Sequence, residues 1–254
     1  MVTPAVAAEA PADRMAQMLA ENLRSGSGGT LTWLNHFSAQ QALGAGVPLN
    51  QFDYLGLDGF LLCRLVKAEC ERTSADLLLP ALLQCTSNLR IALIGSRAET
   101  LRAVAAKIES QYGHSVVLLR DGYQELPDPV AFRRELRAAQ VQLVVVGLGA
   151  PLQDFYVLNI ATPGVLVATC GGWLDQFAGD EDYYPAWAYP LKLNWLVRLA
   201  REPRRLWRRY TVDAIRAVRS RSRLIEYVVG LGRVPLKAAS ATMDVVPFAD
   251  RSAA

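Results

Sequence analysis

The chain reads as an α/β protein: a mostly parallel sheet with helices on both faces, extended by a basic, helical C-terminal appendage. Three observations predict this. Between residues 89 and 172, short aliphatic runs alternate with amphipathic stretches through brief loops, the pattern of repeated strand–helix units in a sheet covered on both sides. From about Pro185 the strand-like runs stop and only helical patterns remain. Ten arginines then fall between Arg198 and Arg223 against two acids, Glu202 and Asp213, a local charge of +8 in a chain whose 27 basic and 24 acidic side chains leave +3 overall.

The elements follow in order. Residues 1–12, rich in alanine and proline, are expected to be disordered, and a short helix over 15–23 ends in Ser25-Gly26-Ser27-Gly28-Gly29, a flexible joint. Leu57-Asp58-Gly59-Phe60 opens a helical pattern. Residues 89–95 (LRIALIG) form a strand, 98–112 a helix closed by Gly113, 115–119 a strand and 129–139 a helix. Residues 141–147 form the next strand, 151–160 a helix, and 165–169 a strand ending at Gly171-Gly172. This divides the chain into a flexible N-terminal segment with a short helix (1–29), an α/β core (30–184) and an arginine-rich helical appendage and tail (185–254). Ligands of such sheets bind beyond the carboxyl ends of the strands, so the loops after Gly95, Leu119, Gly147 and Thr169 are the ones to inspect.

Composition excludes several classes. With 254 residues, 52% of them apolar, the chain can bury a full core. Runs such as Leu143-Val144-Val145-Val146 are strand-sized, whereas a membrane-spanning helix needs roughly 20 consecutive apolar residues. The N-terminal stretch lacks a basic region and a long apolar run, so no signal peptide is read there. Cys63, Cys70, Cys85 and Cys170 form no CxxC and are expected to be buried, reduced thiols of a cytoplasmic protein. His36 and His114 stand alone and read as core or surface histidines.

The concentrated arginines point to a phosphate-rich partner or an anionic membrane surface. Pro203 starts a helix at its first turn. At 100° per residue, Arg204, Arg205, Arg208, Arg209, Arg216 and Arg219 share a sector of about 140°. Leu206, Trp207, Tyr210, Ala214, Ala217 and Val218 lie opposite, with Val212 and Ile215 as exceptions. A face of almost pure arginine suits bidentate phosphate binding better than a generic solvated face. Beyond it, Leu224, Ile225, Tyr227, Val228, Val229, Leu231, Val234 and Leu236, with Arg223, Arg233 and Lys237 nearby, form an apolar stretch that can dock on an anionic leaflet or pack on the core.

Two local motifs carry candidate chemistry. In Gly147-Leu148-Gly149-Ala150-Pro151-Leu152-Gln153-Asp154 a strand turns into a helix through glycines that let backbone N–H groups approach a ligand. The dinucleotide fingerprint is incomplete, because Leu152 stands at the third glycine, which argues against a nicotinamide enzyme. Asp180-Glu181-Asp182 matches the DxD metal motif of many nucleotide-sugar enzymes, but so short an acidic motif arises often by chance.

In order and spacing, a set of segments resembles the WecG/TagA/CpsF family, glycosyltransferase family 26, and most closely its capsule-type branch, from about Thr32 to Tyr210. The pieces are Thr32-Trp33-Leu34-Asn35-His36-Phe37-Ser38, Leu57-Asp58-Gly59, Arg72-Thr73-Ser74-Ala75-Asp76-Leu77, the Gly147–Asp154 stretch and Cys170-Gly171-Gly172-Trp173-Leu174-Asp175-Gln176. Tyr183-Tyr184-Pro185 and Glu202-Pro203-Arg204-Arg205-Leu206-Trp207-Arg208-Arg209-Tyr210 complete the set.

The resemblance implies a Rossmann-like core and an inverting, metal-independent enzyme that moves a hexose from a UDP-sugar to a polyprenyl-diphosphate-linked sugar in exopolysaccharide or capsule synthesis. It also implies an appendage that completes the site at the inner face of the membrane. Asp58 matches the family's proposed catalytic aspartate. Asn35, Arg72 and Gln153 match pocket positions, and Arg198, Arg205 and Arg208 match arginines that contact the diphosphate. Gly147, Gly149 and Asp154 join this donor-binding set through the glycine turn. Three positions depart from the family: Asp154 replaces a glutamate, Trp33 stands where a threonine often precedes the asparagine by two (Thr32 is one place off), and Arg72 precedes Ser74 where many members carry glycine. A nucleic-acid-binding protein using the arginine stripe is the competing reading, but it leaves Asp58 and the glycine loops without a purpose and lacks an RRM, KH or helix-turn-helix signature. No nucleic acid is therefore expected as a partner, while a homo-oligomer remains compatible with the sequence.

Overall fold

The computed structural model describes residues 11–66, 73–124, 126–179, 194–201 and 203–230. Its centre is a six-stranded, all-parallel sheet in the order β2-β1-β6-β5-β3-β4, built from β1 (Gly29–Leu34), β2 (Tyr54–Leu57), β3 (Arg90–Gly95), β4 (Ser115–Arg120), β5 (Leu143–Gly147) and β6 (Leu166–Thr169). This is the α/β, Rossmann-like class that the alternation of short runs predicts. The strands are aliphatic on both faces because both faces are covered. Along β3, Ile91 and Leu93 join one core cluster while Ala92 and Ile94 join the other. Along β5, Leu143 and Val145 divide from Val144 and Val146 in the same way.

One face is covered by α1 (Pro11–Arg24), α4 (Ala75–Cys85), α5 (Ala98–Tyr112) and α8 (Trp173–Ala178), and the other by α6 (Pro129–Ala138) and α7 (Leu152–Ile160). Helix α1 is therefore part of the core and not a flexible lead: Ala16, Leu19, Ala20 and Leu23 are buried at helical spacing, and the helix packs along α4. The stretch expected to be a loose joint is tied down as well. Gly29 N–H donates to the Val165 carbonyl at 3.0 Å, and any side chain at Gly28 would overlap the Val165 backbone.

A third cluster sits at the β1–β2 edge. There α2 (His36–Ala45) and α3 (Phe60–Val66) meet α11 (Val212–Arg219) and α12 (Arg221–Val229). Leu224 and Val228 are buried, and Ile225, Tyr227 and Val229 pack against the cluster, so the part of the apolar stretch described here packs on the core instead of facing a leaflet. Tyr227 Oη donates to the Val47 carbonyl at 2.7 Å, pinning α12 to the loop after α2. Residues 231–254, including Leu231, Val234, Leu236, Arg233 and Lys237, lie outside the described residues, as do Tyr183-Tyr184-Pro185, Asp180-Glu181-Asp182 and Cys70.

The arginine stripe differs from its expected form. The chain breaks at Thr211 between α10 (Pro203–Tyr210) and α11, so 204–219 is two helices and not one. Leu206 and Ala217 pack inward as the single-helix wheel requires, but Trp207 and Val218 are half exposed. Preceding both is α9 (Asn194–Arg201), whose Trp195 ring lies 5.8 Å from that of Tyr210. Cys63, Cys85 and Cys170 are free thiols. His114 is a core histidine, accepting from Leu89 N–H at Nδ1 (3.1 Å), with Nε2 2.9 Å from the Leu83 carbonyl. Among the described residues no helix is long and apolar enough to cross a membrane.

Candidate active site

Parallel strands deliver all their carboxyl ends to one edge, and here the segments following all six line a single cleft of about 660 Å³. Asn35 follows β1, Asp58 follows β2, Ser96 follows β3, Gly122 and Tyr123 follow β4, Leu148, Gly149, Ala150 and Gln153 follow β5, and Cys170–Trp173 follows β6. The four loops singled out in the sequence all contribute. The remaining wall comes from the far end of the chain: Leu206, Arg208 and Arg209 of α10, and Asp213 and Arg216 of α11.

Asp58 sits in the short turn from β2 to α3, where its N–H donates to the Leu34 carbonyl at 2.7 Å and extends the β1–β2 pairing by one residue. Gly59 takes φ +85°, which lets the chain turn sharply into α3 with its Cα close to Asn35. Asn35 is the N-cap of α2: its Oδ1 accepts from Phe37 N–H and Ser38 N–H, both at 3.0 Å, and Ser38 Oγ returns a bond to Asn35 N–H at 2.8 Å. That capping box fixes the side chain and leaves Nδ2 as the group able to donate to a ligand.

Gly147 and Gly149 form the turn from β5 to α7. A side chain at Gly147 would press on Leu174 and Cys170, and Gly149 holds φ +78°. Gln153, in the first turn of α7, lines the cleft although it is 4% exposed, and its Oε1 has no hydrogen-bond partner among the described residues. A buried carbonyl facing a cleft without a donor is costly unless a ligand or water supplies one.

Asp154, one residue on, points elsewhere. It lies behind the cleft wall at 1% exposure, where Thr32 Oγ1 donates to its Oδ1 at 2.6 Å and stands 3.1 Å from Thr169 Oγ1. Burial pushes this carboxyl up to about 6, only partly offset by the Thr32 hydroxyl. Thr32 and Asp154 thus join β1 to α7 beneath the floor of the cleft and do not line it. Trp33 does line it. Its indole N–H donates to the Thr73 carbonyl, and the ring fills the space beside Gly56 so closely that a side chain there would overlap it.

Of the residues expected at the site, Asp58, Asn35, Gly147, Gly149, Gln153 and Arg208 therefore converge on one cleft, and Asp154 lies below it. Arg72 lies outside the described residues, and so do the side chains of Arg198 in α9 and Arg205 in α10. Sequence reasoning did not single out Ser96 or Tyr123, whose loops were signalled by position alone; they line the end of the cleft nearest β3 and β4, where Ser96 Oγ donates to Asp175 of α8, a residue named only as part of the Cys170–Gln176 segment. Among the described residues no group of three His, Cys, Asp or Glu side chains could hold a metal ion.

Compared with known proteins, the chain matches the family model described as "Glycosyl transferase WecG/TagA/CpsF family" over residues 9–226, most of its length.

Proposed function

The chain belongs to the WecG/TagA/CpsF family of glycosyltransferases, and from that premise we propose that it moves a hexose, with inversion, from a UDP-sugar to a polyprenyl-diphosphate-linked sugar in exopolysaccharide or capsule synthesis, without a metal ion. One observation carries the reading. Every basic side chain lining the cleft, among the described residues, comes from α10 or α11 (Arg208, Arg209 and Arg216, the last paired with Asp213 at 3.5 Å), while the core supplies the carboxylates Asp58, Asp76 and Asp175. A candidate proton acceptor and a set of guanidinium groups suited to a diphosphate therefore line the same cavity, which supports this reading.

In this mechanism the acceptor hydroxyl oxygen attacks the anomeric carbon while Asp58 takes its proton. The bond from that carbon to the β-phosphate oxygen breaks, and its electron pair leaves on UDP. General base catalysis of this kind contributes typically 10²–10⁴-fold. Arg208, with Arg205 of the same helix and Arg198 of α9, stabilises the charge that develops on the diphosphate, assisted by backbone N–H groups near Gly149. The unpartnered Gln153 carbonyl accepts from a sugar hydroxyl, and the Asn35 amide donates to the donor substrate. The polyprenyl chain requires the protein to sit at an anionic leaflet. With Leu224, Ile225, Tyr227, Val228 and Val229 packed inward, that contact falls to the exposed arginines of α10 and α11 beside the half-exposed Trp207, Ile215 and Val218, each basic group adding about 1 kcal/mol near the surface.

The test is to incubate the full chain with a panel of UDP-sugars and a polyprenyl-diphosphate monosaccharide, with and without EDTA, and to follow UDP release and product mass. UDP release with a lipid-linked disaccharide, unchanged by EDTA, is the expected result. Loss of activity in EDTA removes the arginine account, and absence of any sugar transfer across the panel removes this reaction.

A further inference from the structure

Helix α2 starts beside the cleft and its first turn is directed at α10 and α11. His36 is buried, and its Nε2 lies 2.9 Å from the Arg209 carbonyl oxygen, so the ring donates there because a carbonyl can only accept. One turn on, Gln40 Nε2 donates to two carbonyls, His36 at 2.9 Å and Asp213 at 2.8 Å. Between them the Phe37 ring receives the Arg209 guanidinium at 4.8 Å from its centroid, a cation–π contact. The Tyr210 ring stands 6.1 Å from His36.

Apart from the His36 carbonyl within α2 itself, these partners belong to residues 209–213, the junction where α10 stops and α11 begins. The location has a physical reason. Arg209 lies in the last turn of α10, where carbonyls lose their intrahelical partners and need donors from elsewhere. The core supplies one through His36. Neither His36 nor Gln40 lines the cleft, whereas Asn35 and Phe37, which flank His36, do, and so do Arg208, Arg209 and Asp213 on the other side.

We propose that His36 and Gln40 are positioning residues: they clasp the α10–α11 junction to the first turn of α2 and so fix the spacing between the arginine wall and Asp58. For its kinetic consequence the inference rests on the transfer reaction proposed above, but the clasp itself rests on geometry alone.

The test uses the full chain and three variants, His36→Ala, His36→Gln and Gln40→Met, the last preserving volume while deleting both amide bonds. Limited trypsin digestion, read by mass, reports cuts at the arginines between 201 and 223. Such cuts need local opening of the helices, so their rate follows the population of the open form. His36→Ala and Gln40→Met should be cut there roughly tenfold faster, the size expected from deleting a hydrogen bond to a part-buried carbonyl, with cuts in the α/β core unchanged. His36→Gln, which still presents an N–H at similar reach, should return towards the wild-type rate. In the transfer assay kcat should fall by a similar factor in the two damaging variants and recover in His36→Gln.

Unchanged cutting in both His36→Ala and Gln40→Met overturns the clasp. So does a folded His36→Gln that is cut as fast as His36→Ala. If His36→Ala does not fold, Gln40→Met alone decides. Proteolysis needs no substrate, so a protein that transfers no sugar refutes the reaction while the digestion still decides the clasp.

Discussion

Asp154→Asn is expected to remove a pH dependence of stability, which separates a buried strut from a ligand-binding carboxylate. The Asp154 carboxyl is 1% exposed, accepts one hydrogen bond on Oδ1 from Thr32, and has an Oδ2 without a partner among the described residues. Burial raises it from its ordinary 3.8 to about 6. The folded protein therefore holds this proton more tightly than the unfolded chain does. Its contribution is fully present below about pH 4 and is lost as the pH rises through about 6. At about 1.4 kcal/mol per pH unit, the loss comes to about 3 kcal/mol. Asparagine does not titrate. Urea unfolding of wild type and Asp154→Asn from pH 4 to 7.5 should give a stability difference that shifts by about 3 kcal/mol in favour of the variant across that window and stays level outside it. The absolute offset is smaller, because an amide N–H₂ placed where Oδ2 has no partner costs about 1–3 kcal/mol. Thr32→Val should act in the opposite sense, removing the hydroxyl that supports the ionised form and destabilising the protein most above pH 6. UDP affinity should be unaltered in Asp154→Asn, since the carboxyl does not line the cleft. A stability difference that is flat in pH, or a collapse of UDP binding, would refute the reasoning.

Three further outcomes follow from the same geometry. Asp58→Asn should lower kcat by about 10²–10⁴-fold with little change in UDP affinity measured by calorimetry, and wild-type turnover would remove Asp58 from the chemistry. Arg208→Ala should lower kcat by roughly 10²-fold and UDP binding by much less, because stabilisation of developing charge is realised in the transition state; equal losses in both would reduce Arg208 to a ground-state contact. Gly95→Ala should cost about 2–4 kcal/mol in urea denaturation: Gly95 sits at φ +119°, and a side chain there would overlap the Gly147 carbonyl across the β3–β5 pairing. Wild-type stability of that variant would mean the two strands separate more readily than their register implies.

The parts of the fold legible in the sequence are those whose physics is local. Residues 90–95 and 143–147 announce themselves as strands because both faces must be aliphatic, and the helices over 98–112 and 129–138 carry a 3.6-residue apolar stripe bounded by Gly113 and by Asp128-Pro129. Strands β1 and β2 were not legible. In β1, Gly29-Thr30-Leu31-Thr32-Trp33-Leu34, two threonines occupy buried positions, and each is satisfied by a distant partner: Thr30 by Asp53, and Thr32 by Asp154, 122 residues away. No window of local sequence contains that compensation. Helix α4 hides for a different reason, Pro80 in its interior, which reads as a breaker until the packing of Leu78, Leu79, Leu82 and Leu83 against α1 and the sheet is known.

The same distinction explains the site. Gln153, by the family match, and Asp154, with the glycine turn, were both assigned to the donor-binding set, yet a helix turns 100° per residue, so one side chain enters the cleft while the next is driven back onto β1 and β6. Likewise, the arginine wheel is valid only as far as the helix is continuous. With the break at Thr211, Arg216 still reaches the cleft beside Arg208 and Arg209, but Val218 after the break and Trp207 before it are half exposed where one continuous helix would bury both. The break also makes the appendage inseparable from the core. Past it, Ala217, Leu224 and Val228 cover Leu34, Ala39 and Leu62, so a chain cut before α9 would lose its basic wall and expose the apolar edge beside β1 at once. Loss of activity in such a truncation would then report unfolding as readily as missing charge. The informative perturbation keeps the helices and changes their charge one guanidinium at a time, beginning with Arg208, which lines the cleft yet lies outside the third cluster that holds α11 and α12 in place.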